Sequence, residues 1–131
     1  RPTCDVVIDN VSVSNSAYAL NSNAKGVNGA VKVSVTNSTF NGWISLSDVS
    51  LSEVVFENCS LGWSNRGEGK TDYAFLRPYA PTTFVGCDFE AGYKVDPKAA
   101  VTFDNCTLDG VLITAENVSE LVTSTGKVTV K

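Results

Sequence analysis

The sequence predicts an all-β chain wound as a short solenoid of about five coils, and three observations carry that expectation. A unit of the form apolar-x-apolar-x-Asn-Cys-x-apolar recurs at residues 6–13, 33–40, 54–61, 82–89 and 101–108. Its equivalent positions Ile8, Val35, Phe56, Phe84 and Phe103 are 27, 21, 28 and 19 residues apart, a variable spacing that suits stacked coils closed by loops of unequal length. No stretch carries the apolar period of an amphipathic helix. The rival arrangement is an antiparallel β-sandwich, which many short strands and Gly/Asn turns would also build. The cysteines that fall at one register position favour the solenoid.

Within each unit the first apolar residues alternate with polar ones, as in a strand with one buried face. After the Asn the phase shifts by one. Phe103 and Cys106 are three apart, so both point inward only if the chain turns a corner at Asn105. The same corner is expected at Asn10, Asn37 and Asn58, because Asn tolerates a left-handed backbone, with Gly86 serving the fourth coil. Stacked, these residues form an Asn ladder, and Cys59, Cys87 and Cys106 form an interior column that Val11 and Ser38 extend. A second apolar group follows each corner: Tyr18 to Leu20, Trp43 to Leu46, Tyr73 to Leu76, Tyr93 to Val95, and Val111 to Ile113. Residues 115–131 supply a partial last coil or a cap.

Composition narrows the function. The chain has 131 residues, 43% hydrophobic and 18% charged, enough apolar matter for one folded domain spanning 1–131. Its net charge of −4 lacks the basic footprint of a nucleic-acid partner, and no apolar run is long enough for membrane insertion as a helix. There is no histidine, which removes imidazole bases and imidazole metal ligands. No metal site and no cofactor are expected. The chain reads as a piece of a longer secreted or surface-displayed polypeptide.

The four cysteines read as three packed thiols and a separate Cys4 rather than as a disulfide framework. Four of the five Asn-x-Ser/Thr sequons, at Asn10, Asn37, Asn58 and Asn105, coincide with the corners, and the fifth is at Asn117. A structural ladder accounts for those four without glycans. Ser12, Thr39, Ser60, Asp88 and Thr107 make an outward row that suits a solvated strand face, and equally ice or a polysaccharide, although it lacks the paired Thr-x-Thr pattern of ice-binding helices.

The units at Phe56 to Leu61 and Phe103 to Leu108 resemble the coils of right-handed parallel β-helix proteins, the pectin-lyase-like superfamily. The resemblance runs over roughly four-fifths of the chain. It implies a short right-handed parallel β-helix, and the members most like it are surface and adhesin types. Other members include polysaccharide lyases and hydrolases and phage tail spikes, so the fold does not choose the activity. The lyases pair a calcium-binding acidic cluster with a catalytic Arg or Lys. Here only Arg77, with Asp72 and Glu68, faintly resembles that set, because Val85 separates the carboxylates Glu57 and Asp104. The chain is read as non-enzymatic, with a polysaccharide lyase fragment and a trimeric virion fibre as alternatives.

The longest insertion, residues 62–72, gathers Gly, charge and an aromatic in one loop. Binding residues concentrate on such loops. The expected ligand-binding edge comprises Trp43, Trp63, Arg66, Asp72, Tyr73 and Arg77, with Tyr93 further along. Flat aromatic faces beside charged groups suit sugar rings. The expected partner is a polysaccharide, or a glycan or protein of a host surface, met outside the cell or at its surface; the oligomeric state is open.

Overall fold

A computed structural model describes residues 4–14, 18–22, 31–46, 51–63 and 75–131. The chain is all-β and forms a parallel β-solenoid of about four turns, close to the coil count of the repeat. The first coil carries β1 (Val6–Asp9), β2 (Ser12–Val13) and β3 (Tyr18–Ser22), and the second β4 (Val31–Thr36), β5 (Thr39–Asn41) and β6 (Trp43–Leu46). The third holds β7 (Leu51–Glu57) and β8 (Ser60–Gly62), the fourth β9 (Thr82–Val85) and β10 (Asp88–Phe89), and the fifth β11 (Val101–Asp104) and β12 (Thr107–Leu108). Then come β13 (Val111–Leu112), a single 3₁₀ turn at Val118–Glu120, and β14 (Val128–Val130).

Sheet one is ordered β1-β4-β7-β9-β11-β14 and sheet two β13-β12-β10-β8-β5-β2. A third, shorter face pairs β3 with β6 and continues through Ile44, Leu76, Val95 and Val122. All neighbours are parallel except β12 with β13, which rules out the sandwich.

Register converts the repeat into columns. Ile8, Val35, Phe56, Phe84, Phe103 and Val130 stack in order through sheet one. Phe56, Phe84 and Phe103 are fully buried, with ring centroids 5.2 and 5.3 Å apart and planes within 15° and 10°. Strand spacing sets that separation, since one coil rises by about 4.8 Å. Phe40, Leu61 and Phe89 make the matching column of sheet two. Burying each such side chain contributes about 1.5–3 kcal/mol.

The corners explain the phase shift. Asn10, Asn37, Asn58 and Asn105 have φ of 56, 51, 53 and 52°, and Gly86 has 59°. Because the backbone turns left-handed for one residue, the next side chain swings inward. Main-chain bonding continues around the bend: Asn37 N donates to Glu57 O, Asn58 N to Val85 O, and Gly86 N to Asp104 O. On the first corner Asp9 tops the ladder, accepting from Thr36 Oγ1 at 2.7 Å and Asn37 Nδ2 at 3.0 Å. Those bonds hold its carboxyl below the ordinary value. Gly86 does more than bend. A Cβ there would stand 2.8 Å from Asn58 Oδ1, so Gly86→Ala meets both a clash and an unfavourable φ. It should cost about 1–2 kcal/mol in urea titrations, whereas Gly126→Ala, with open space around it, should cost far less.

Cys59, Cys87 and Cys106 are buried and unbridged, and Cys4 is exposed. Each buried thiol donates to a carbonyl of the coil before it: Cys59 to Val35 at 3.5 Å, Cys87 to Phe56 at 3.4 Å, Cys106 to Phe84 at 3.3 Å. Hydrogen bonds with Cys106 and Cys59, together with burial, push the Cys87 thiol far above its usual ionisation range. Ser38 takes the equivalent place in the second coil, accepting from Val11 N and donating to Thr36 O. Val11 itself, on the end coil, is 40% exposed.

One expected element is replaced. Val111 to Ile113 does not continue the third face; Val122 does. Instead β13 folds back antiparallel on β12, pairing Thr107 with Leu112 and Leu108 with Val111. Asp109 and Gly110 both have positive φ, 51 and 75°, the two-residue turn whose twist matches a hairpin. Residues 115–131 then close the stack, with Leu121 and Val122 buried and β14 paired in register to β11.

Candidate ligand-binding face

Of the aromatic edge expected from the sequence, Arg66, Asp72 and Tyr73 lie outside the described residues, as does Glu68. Trp43, Trp63 and Arg77 lie within them, in three different settings. Trp43 is 6% exposed, wedged edge-on to Tyr18 with centroids 5.0 Å apart. Trp63 is half-buried. Its ring stacks on Phe75 at 5.3 Å and 11°, its Nε1 donates to Ala91 O at 2.7 Å, and its backbone N donates to Glu90 Oε2 at 2.8 Å. Tyr93 is fully buried between Phe75 and Phe89, and burial pushes its phenol up.

Arg77 approaches Asp96, with Nε 3.7 Å from Oδ2. Asp96 also takes Lys98 Nζ at 2.8 Å and the Thr123 hydroxyl at 2.8 Å. Although partial burial acts the other way, the bonds from Lys98 and Thr123 hold the Asp96 carboxyl below its ordinary value. This knot ties the third, fourth and last coils at one place on the surface.

Among the described residues the stack assembles a polar surface on sheet two. Ser12, Thr39, Ser60, Asp88 and Thr107 stand in register, outward and in line, with Thr107 Oγ1 donating to Asp88 Oδ1 at 2.6 Å. Two residues on, Asn41 pairs with Gly62, and Glu90 follows in the next coil, its backbone N bonded to Leu61 O. Between the two rows runs a shallow groove of about 290 Å³ lined by Thr39, Asn41, Ser60, Gly62, Asp88 and Glu90, with Phe40, Leu61 and Phe89 between them.

Gly62 shapes the groove. A Cβ at this position would lie 2.9 Å from Glu90 Oε2 and 3.3 Å from Asn41 Oδ1, so the missing side chain lets an amide and a carboxylate converge. Glu90 is held there by the backbone N–H of Trp63, the residue after Gly62. Among the described residues neither Asp88 nor Glu90 takes part in an ion pair. The groove therefore presents hydroxyls, an amide and two carboxylates: acceptors and bidentate partners for hydroxyl-rich ligands, repulsive to anionic ones.

Asn41, Gly62 and Glu90 were missed by reading the sequence for aromatics and charge clusters. Their signal is positional, two residues beyond the outward row in three successive coils. A second row, Thr83, Thr102 and Thr129 on the outward side of sheet one, was legible from the same register. A further cleft of about 420 Å³ lies under the β12–β13 hairpin, lined by Ala91, Gly92, Leu108, Asp109, Val111, Asn117 and Glu120. Asn117, the fifth sequon position, is engaged locally there, accepting from Thr114 N and donating to Leu112 O. Among the described residues no group of three or more Cys, Asp or Glu is placed to hold a metal ion. Comparison with known proteins matched no family model, no curated protein and no solved structure.

Proposed function

We propose that this chain is a non-catalytic display and adhesion module, working outside the cell or at its surface, of the kind found among pectin-lyase-like β-helices. In this reading it contacts carbohydrate along sheet two. The observation that supports it is the groove over Gly62, where Asn41 and Glu90 converge beside a row of hydroxyls. Sugars offer closely spaced hydroxyl pairs that match amide and carboxylate partners. Asp88 and Glu90, in no ion pair among the described residues, favour neutral glycans over uronic-acid polymers.

Isothermal titration against neutral and acidic polysaccharides tests this. Saturable binding of a neutral glycan is expected, weakened about tenfold by Asn41→Ala with Ser60→Ala, as the loss of one or two hydrogen bonds requires. Ser60 is exposed and Asn41 half-buried on the outward side, so melting curves of the variant separate lost binding from lost stability. Binding restricted to acidic polymers, or indifferent to the double substitution, would remove the groove from the function.

A further inference from the structure

The two ends of the stack match each other. Among the described residues sheet one begins with β1 and ends with β14, each paired on one side. Register makes Val6 equivalent to Val128 and Ile8 to Val130, through the four coils between them. On the outward side Asp5 precedes β1 and Asp9 ends it, while Lys127 and Lys131 flank β14. One more strand step would set Val128 and Val130 of one copy on Val6 and Ile8 of the next, with Lys127 facing Asp5 and Lys131 facing Asp9.

The row already uses such pairing within the chain. Lys32, the coil above Asp5, forms an ion pair with Glu53 in the coil beyond, Nζ to Oε1 2.9 Å. The Asp5 and Asp9 carboxylates are held at the edge by bonds from Lys32 N at 2.9 Å, Thr36 Oγ1 and Asn37 Nδ2. Lys127 Nζ is held by Lys98 O at 2.8 Å and keeps further donors. The exposed large apolar side chains among the described residues are Val7, Val11, Tyr18, Val111 and Leu112, all on the first coil or on the hairpin that closes sheet two at the opposite end.

We propose that the chain associates head to tail with further copies of itself, β14 of one pairing in parallel with β1 of the next. The contact is heterologous, so it propagates rather than closing as a dimer.

Sedimentation of the purified chain over a wide concentration range, at low and high salt, reads the association directly. Mass should rise with concentration and fall with salt, as charge-guided contacts do. Asp5→Lys and Lys127→Glu each put like charges at the joint and should weaken self-association about tenfold. Mixing the two variants restores it, because each then offers the end that the other matches; so does combining both changes in one chain. Two chains that merely failed to fold would not rescue each other. A wild-type chain monomeric up to about 1 mM at low salt would overturn the proposal. Association that both variants leave unchanged, or a mixture no more associated than its parts, would do the same.

Discussion

Phe84→Ala should lower the unfolding free energy by about 3–5 kcal/mol, the range for emptying a large buried aromatic site. The ring is fully buried between Phe56 and Phe103, with Phe89 edge-on at 5.2 Å and 70°. Its removal takes away three ring contacts and leaves a void that the backbone cannot close, because the strand spacing is held by the ladder on both sides. A solenoid's stability is a sum of coil and interface terms, and Phe84 belongs to two interfaces. The thermal transition should therefore broaden as well as fall, the coils on either side losing their coupling. Circular dichroism melts would show it, with Thr83→Ala, one residue earlier and half-buried on the outward side, as a control expected to move stability much less. A loss below about 1 kcal/mol would mean that the aromatic column is not what binds the coils.

The second large effect concerns the residue that the sequence marks most plainly as a binding aromatic. Trp63→Ala should cost about 2–3 kcal/mol, because the indole stacks on Phe75 and donates to Ala91 O. Trp63→Phe keeps the stacking and drops the hydrogen bond, so about 1 kcal/mol should remain lost. Chemical denaturation of both variants separates the two contributions. If Trp63→Ala melts like the parent, the ring is a surface platform open to ligand stacking. If it melts early, any loss of glycan binding in that variant reports on Glu90 and the groove wall rather than on a stacked sugar.

The columns were legible because one face of every strand must be apolar and the period between coils repeats. Ile8 through Phe103, the corner asparagines and the thiol column all follow from that alternation and one phase shift. The aromatics are harder, because a tryptophan at a coil edge obeys the same pattern whether it covers the core or faces a ligand. Trp43 and Trp63 are separated only by what lies opposite them, Tyr18 in one case and Phe75 with Ala91 in the other. The hairpin at Asp109-Gly110 carried its own turn signal, but Val111 to Ile113 also fitted the second apolar group of a coil. Repeat logic favoured the wrong partner there. The last coil could not be placed by pattern, since residues 115–131 depart from the repeat and reach register only through Val122 and β14. Asn41, Gly62 and Glu90 became a candidate site only when stacking brought three unremarkable positions side by side.

The coil intervals, from 19 residues between Phe84 and Phe103 to 28 between Phe56 and Phe84, return to one register regardless of length. Ring-closure entropy grows only with the logarithm of loop size, so nine additional residues raise the cost of closing a coil by about 0.3 kcal/mol. That is less than a single surface contact. The interior can stay constant under selection while the excursions between coils lengthen, shorten or change chemistry almost independently, which makes this architecture tolerant of new surfaces without renegotiating its core.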